Sequence, residues 1–169
     1  MEILAMILFV LFGGITLITL LAALGLILPG ATTRTKAVLD ASLGRAFIIG
    51  LVNLAFFLIL FLLLVSAGEW SGQGALSEIL GVLGILIILT LTVFALAGLA
   101  GLARLLGERI GEAKSAFRGD LRGGLVLVLA GLAPFVGWYL FTPFILATAL
   151  GASILALFRK KSKPQAEEG

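Results

Sequence analysis

The sequence contains no cysteine, no histidine and a single tyrosine. Without cysteine there is no disulfide, no thiolate metal site and no cysteine nucleophile, and no redox compartment follows. Without histidine the commonest haem and metal ligand is missing, as is the side chain that titrates near neutral pH. Ser66 and Ser71 therefore have no imidazole base to activate them. Charge is also scarce, at 12% of residues, and no polar interval is long enough to fold a soluble domain. What fills the chain is apolar. The hydrophobic fraction is 61% and the mean hydropathy +1.24, whereas soluble domains are roughly half apolar.

About 20 apolar residues cross a hydrocarbon core near 30 Å thick. Three runs meet that length: Ile3–Leu28, Phe47–Ala67 and Ile79–Leu102. The first is too long for a signal-peptide core, and Glu2 stands where a basic leader would be, so it is expected to be a retained helix. Pro29-Gly30 is expected to stop it.

All Lys and Arg lie in three places. Gly30–Arg45 carries Arg34, Lys36 and Arg45; Ala103–Arg122 carries Arg104, Arg109, Lys114, Arg118 and Arg122; the tail carries Arg159, Lys160, Lys161 and Lys163. The loop Gly68–Glu78 has only Glu69 and Glu78. Basic residues in short loops mark the cytoplasmic side. The N-terminus is therefore expected outside and the C-terminus cytoplasmic.

Basic residues flank Leu125–Phe158 on both sides, so this apolar run is predicted to enter and leave on one face. As one straight helix its 34 residues would be about 50 Å long, beyond what ordinary tilt absorbs. A hairpin is the expectation, with arms at 121–135 and 139–158 and a turn at Pro134, Gly137 and Trp138. Proline removes a donor there, glycine permits positive φ, and tryptophan suits the membrane interface. The first arm is short, so it either begins near Leu121 or is re-entrant. Pro143 falls in the second arm's first turn, where a missing N–H matters little. The predicted fold is thus an all-α integral membrane protein with three transmembrane helices and a Pro/Gly-turned hairpin, five membrane segments in all.

Leu102, Leu106, Ile110, Ala113 and Phe117 form an apolar stripe at helical spacing, with Arg104, Glu108, Arg109, Glu112 and Lys114 off it. The third helix is expected to run on amphipathically to about residue 118, leaving the membrane or bending onto its surface. Anionic lipid or a partner is expected on Arg104, Arg109, Lys114, Arg118, Arg122, Arg159, Lys160 and Lys161, because each basic residue near an anionic leaflet contributes about 1 kcal/mol. A short interfacial helix is expected in the first loop, with Thr32, Thr33 or Thr35 near its start. Residues 162–169 read as a polar, disordered tail.

Catalytic chemistry does not assemble. Ile3–Leu28, Phe47–Ala67, Ile79–Leu102 and Leu125–Phe158 contain no Asp, Glu, Lys or Arg, the residues that transporters and pumps keep at membrane depth. Asn53 is their most polar residue and is expected to make an interhelical hydrogen bond. Thr16, Thr19, Thr90, Thr92, Thr142, Thr148 and Ser153 are expected to bond to carbonyls one turn back. Glu108 and Glu112 are one turn apart but lie among cations, which reads as a solvated face. Gly81/Gly84, Gly98/Gly101 and Ala147/Gly151 are small-residue faces for close helix packing, and Gly107/Gly111 is a weaker match among charges. No cofactor, metal or nucleic-acid site is expected.

Leu28-Pro29, Arg34, Pro134-Phe135-Val136-Gly137-Trp138, Leu150-Gly151 and Arg159-Lys160-Lys161 stand in an order that resembles the membrane domain attached to bacterial polymer-forming, bactofilin-like proteins. The resemblance covers much of the chain and implies a helical membrane module. That family's β-rich polymerising domain has no counterpart in these residues, and the resemblance brings no functional residues with it. The expected function is that of a non-enzymatic accessory or scaffold subunit of a larger or homo-oligomeric assembly in the bacterial cytoplasmic membrane. The alternative is a channel or carrier for a small neutral or lipidic solute.

Overall fold

The first helix stops just before Pro29, as expected, and Pro29 then begins the next helix. A computed structural model describes residues 2–70, 72, 74–111, 115–133 and 135–158. In it α1 spans Glu2–Ile27 and α2 spans Pro29–Trp70, with Leu28 alone between them. Proline fits the first turn of a helix, where its absent N–H would be unpaired anyway. The interfacial helix expected in the first loop is therefore the first arm of α2, residues 29–41. Extended backbone at Ser42 (φ −163°, ψ 70°) kinks it before the apolar arm that runs on to Trp70.

α3 spans Ala75–Ile110, and its 36 residues make a rod about 54 Å long. It ends at Gly111 with φ +155°, and α4 (Ala116–Leu132) starts afresh after the Ser115 cap, whose Oγ accepts the Arg118 N–H at 3.4 Å. The amphipathic extension to residue 118 is thus corrected: the chain breaks, because Gly111 adopts a conformation a helix cannot continue through. The expected stripe is divided between two helices, Leu102, Leu106 and Ile110 on α3 and Phe117 on α4, and Ala113 lies outside the described residues.

The described part is all-helical, and four stretches are long and apolar enough to cross a membrane: α1, α2, α3 and Gly137–Phe158. The chain is a multi-pass membrane protein by that measure. α4 is not among the four.

The hairpin has a different construction from the one expected. A single π-turn, Gly137–Phe141, leads into α5 (Thr142–Phe158), and both the N–H and the hydroxyl of Thr142 donate to the Gly137 carbonyl. Positive φ falls on Phe135 (φ 61°) and not on Gly137. Gly137 matters for its missing side chain instead: a Cβ would come within 2.6 Å of the Ala130 carbonyl and 2.8 Å of that of Gly131. Pro134 lies outside the described residues. Trp138 and Tyr139 are exposed at the turn, and Pro143 sits in the first turn of α5 as expected. The two arms scarcely touch; α4 packs on α1 and α3, whereas α5 packs on α2 and α3.

α3 is the central rod, in contact with every other helix. Close crossings fix its neighbours. A Cβ on Gly50 would collide with the Ala147 carbonyl, and one on Gly151 with the Ala46 carbonyl, locking α2 to α5. Gly98 meets the Ala149 backbone of α5 in the same way, while Gly107 meets Gly119 and Gly123 meets Ala103 across the α3–α4 pair. The glycine faces read from sequence at Gly98, Ala147 and Gly151 hold, and Gly107 is as closely used as any. Gly81 by contrast has open space around it.

The core these crossings enclose lies at one end, built from Leu21, Leu39, Ala46, Ala100, Leu105, Leu127 and Ala152 among others. The most apolar windows of α1, α2 and α3 are 0%, 6% and 6% buried.

Candidate functional site

At the packed end, charge is buried. Arg104 projects from the last third of α3 toward Asp120 in the first two turns of α4. Its Nε donates to Oδ1 at 3.0 Å and its Nη2 to Oδ2 at 2.7 Å, a two-point clasp. Nη2 also donates to the Gly25 carbonyl in the last turn of α1 at 3.2 Å, and Nη1 reaches the Thr33 hydroxyl of α2 at 3.5 Å. The two side chains are 11% and 1% exposed. One guanidinium thus joins four helices. The negative ends of the α1 carbonyls and the positive start of α4 favour each partner where it stands.

Glycine makes room for this knot. A Cβ on Gly25 would overlap Asp120 Oδ2 and lie 3.1 Å from Arg104 Nη2. Gly101 is pressed against Thr35. Two further ion pairs tie the first arm of α2 to the end of α3 at the surface, Lys36 with Glu108 and Arg109 Nη2 with Asp40 Oδ1 at 3.1 Å. Beside the knot lies a cavity of about 230 Å³ lined by Arg104, Glu108, Ser115, Gly119 and Asp120 among others.

This geometry changes several expectations. Arg104 is not a lipid-facing cation, because Asp120 neutralises it inside the bundle. Arg109 is exposed but shared with Asp40. Arg118 and Arg122 are exposed and have no ion pair among the described residues. Lys114, Arg159, Lys160 and Lys161 lie outside the described residues. Asn53 makes no described interhelical bond: its Nδ2 donates to the Ile49 carbonyl in its own helix at 2.8 Å. An amide one turn from a helix carbonyl shares that acceptor without waiting for a neighbouring helix. Thr19, Thr90, Thr92 and Thr148 bond one turn back as expected. Glu108 is engaged by Lys36 rather than free in solvent.

Sequence reasoning missed Asp120, Gly25 and Thr33. The signal available was the glycine on either side of Asp120, Gly119 and Gly123, which marks that face of α4 as a close helix contact and not as solvated surface.

Chemically the knot is occupied with itself. Both Asp120 oxygens accept from Arg104, and no buried side-chain polar atom among the described residues lacks a partner. No group of three candidate metal ligands occurs among those residues. No protein-family model, curated protein or solved structure matches this chain.

Two apolar grooves flank α1, one of about 310 Å³ against α4 and α5 and one of about 460 Å³ against α4 alone. Another, of about 250 Å³, lies between the first arm of α2, α3 and α5, with Arg34 in its wall.

Proposed function

We propose that the protein is a non-enzymatic accessory or scaffold subunit of a larger or homo-oligomeric membrane assembly in the bacterial cytoplasmic membrane. The observation that carries this reading is the contrast between the two ends. The basic end is locked by the Arg104–Asp120 knot, while the membrane-length windows of α1, α2 and α3 are almost wholly uncovered. At membrane depth such apolar surface is covered by lipid or by the helices of neighbouring subunits. Purification in mild detergent tests it. Co-purifying membrane subunits or a defined homo-oligomer is the expected result, and a stable monomer with no co-purifying protein overturns it.

The finer topology belongs to the same proposal: N-terminus outside, C-terminus cytoplasmic, and α4–α5 a hairpin that opens toward the cytoplasm. In its support, α5 ends beside Ala31 and Arg34 on the groove they share, at the end of the bundle where α4 begins. The absence of cysteine makes labelling of introduced cysteines unambiguous. Lys161→Cys is expected to react only from the cytoplasmic side; reaction from outside overturns the hairpin. The exposed Arg118 and Arg122, with the tail cations, are proposed to meet anionic lipid. Likeness to the membrane domain of bactofilin-like proteins is part of the proposal too, and an experimental structure of that domain lacking the splayed α4–α5 turn would overturn it.

A carrier for a lipidic solute is the second reading, and the grooves beside α1 favour it. Asn53 lines neither of these. Solute flux into liposomes that ceases on filling the groove with Gly14→Phe would support a carrier; unchanged flux would exclude this route.

A further inference from the structure

We propose that the groove bordered by Arg34 binds an anionic glycerophospholipid, with the phosphate on the guanidinium and one acyl chain along α3. This deepens the reading above, and rests on it in taking the basic end to lie at headgroup level. Arg34 is exposed on the first arm of α2 and, unlike Lys36, Arg104 and Arg109, has no carboxylate partner among the described residues. It is also unlike Arg118 and Arg122, because it lines an apolar cleft. The rest of its wall is formed by Val93, Phe94 and Ala97 on α3 and by Ala156 and Leu157 in the last turn of α5. Ser153 lies in the same wall, but its hydroxyl donates to the Leu150 carbonyl at 2.8 Å and so offers no donor to the cleft.

The chemistry at the two ends of the cleft is that of an amphiphile. A lone guanidinium binds a phosphate through two parallel N–H bonds. On α3 the cleft is lined from Val93 to Ala97, four residues or about 6 Å at 1.5 Å each. That depth leads away from the charged end into the apolar part of the span. A water-soluble phosphate would leave this wall uncovered, and a polar peptide would bury unpaired groups against it.

Photo-crosslinking of the full-length protein in liposomes is the test, using phosphatidylglycerol with a diazirine on one acyl chain and the matched phosphatidylcholine probe. Adducts at Val93, Phe94, Ala97 or Leu157 are expected, stronger for the anionic probe. Arg34→Gln should lower them about fivefold, the factor that one basic contact with an anionic lipid carries, and Arg34→Lys should restore most of the yield. Arg118→Gln and Arg122→Gln should leave these adducts unchanged. Equal labelling of the cleft in Arg34→Gln, or no labelling there as when a second copy covers it, overturns the site. No anionic preference at the cleft, with a preference elsewhere that falls with Arg118→Gln or Arg122→Gln, overturns the site alone. Loss of any anionic preference across the whole chain overturns the broader lipid reading as well.

Discussion

Asp120→Asn removes one charge from the centre of the knot while keeping its size. Arg104 is then left 11% exposed with the Gly25 carbonyl and the Thr33 hydroxyl and no counter-ion. Breaking a buried ion pair from one side costs about 3–5 kcal/mol, since the surviving charge stays desolvated. A typical domain has only about 5–15 kcal/mol of net stability, so a fifth or more of it would go. The double variant Arg104→Met with Asp120→Leu removes both charges and refills the space. It is expected to recover most of the loss, because an apolar pair of similar volume is often neutral or better. The assay is reversible unfolding of the three species in mixed micelles of mild detergent and dodecyl sulfate, followed by circular dichroism. A loss below about 1 kcal/mol for Asp120→Asn, or a double variant as unstable as the single one, would refute the claim that the buried pair holds the four helices together.

Asp40→Asn removes an ion pair whose side chains are 43% and 63% exposed, so it should change stability by less than about 0.5 kcal/mol in the same assay. Gly50→Ala and Gly151→Ala place a methyl into the facing backbone and should each lose about 1–3 kcal/mol, seen as earlier unfolding. Gly81→Ala has open space around it and should gain up to about 1 kcal/mol from helix propensity. Phe135→Gly relieves positive φ on an exposed residue and should hold or raise the unfolding midpoint rather than lower it. Asn53→Leu breaks only a bond within its own helix and should leave any oligomer, measured by light scattering, unchanged.

Hydropathy made α1, the second arm of α2, α3 and α5 legible, because twenty apolar residues have few alternatives to a membrane helix. Charge placement suggested that the last apolar run doubles back, and its last turns do lie with Arg34 at the knot's end of the bundle. Pairing was harder to read. Asp120 among Arg118, Arg122 and Arg109 looks like one acid on a solvated face; Gly119 and Gly123 are the one contrary signal in the residues, and the approach of Gly107 to Gly119 shows that this face is inside. Arg104 lies off the apolar stripe, which periodicity assigns to the surface; its burial depends on a partner 16 residues away, across a helix break, which local spacing cannot report. The π-turn at Gly137 likewise follows from how α4 ends against it, not from a signal in the residues themselves.

α4 also bears on how the chain enters the membrane during synthesis. Its uncharged part, 123–132, is about half the length of a span, and Arg118, Asp120 and Arg122 precede it. Such a segment has little tendency to leave the translocon for lipid on its own. α3 emerges from the ribosome first, and with it come Gly107, Ala103 and an unpaired Arg104, the surface on which α4 docks. Lateral release of α4 is then coupled to tertiary folding. Asp120→Asn is therefore expected to lower the amount of protein recovered in the membrane as well as its stability once folded, and an unchanged membrane level on quantitative immunoblotting would refute that coupling.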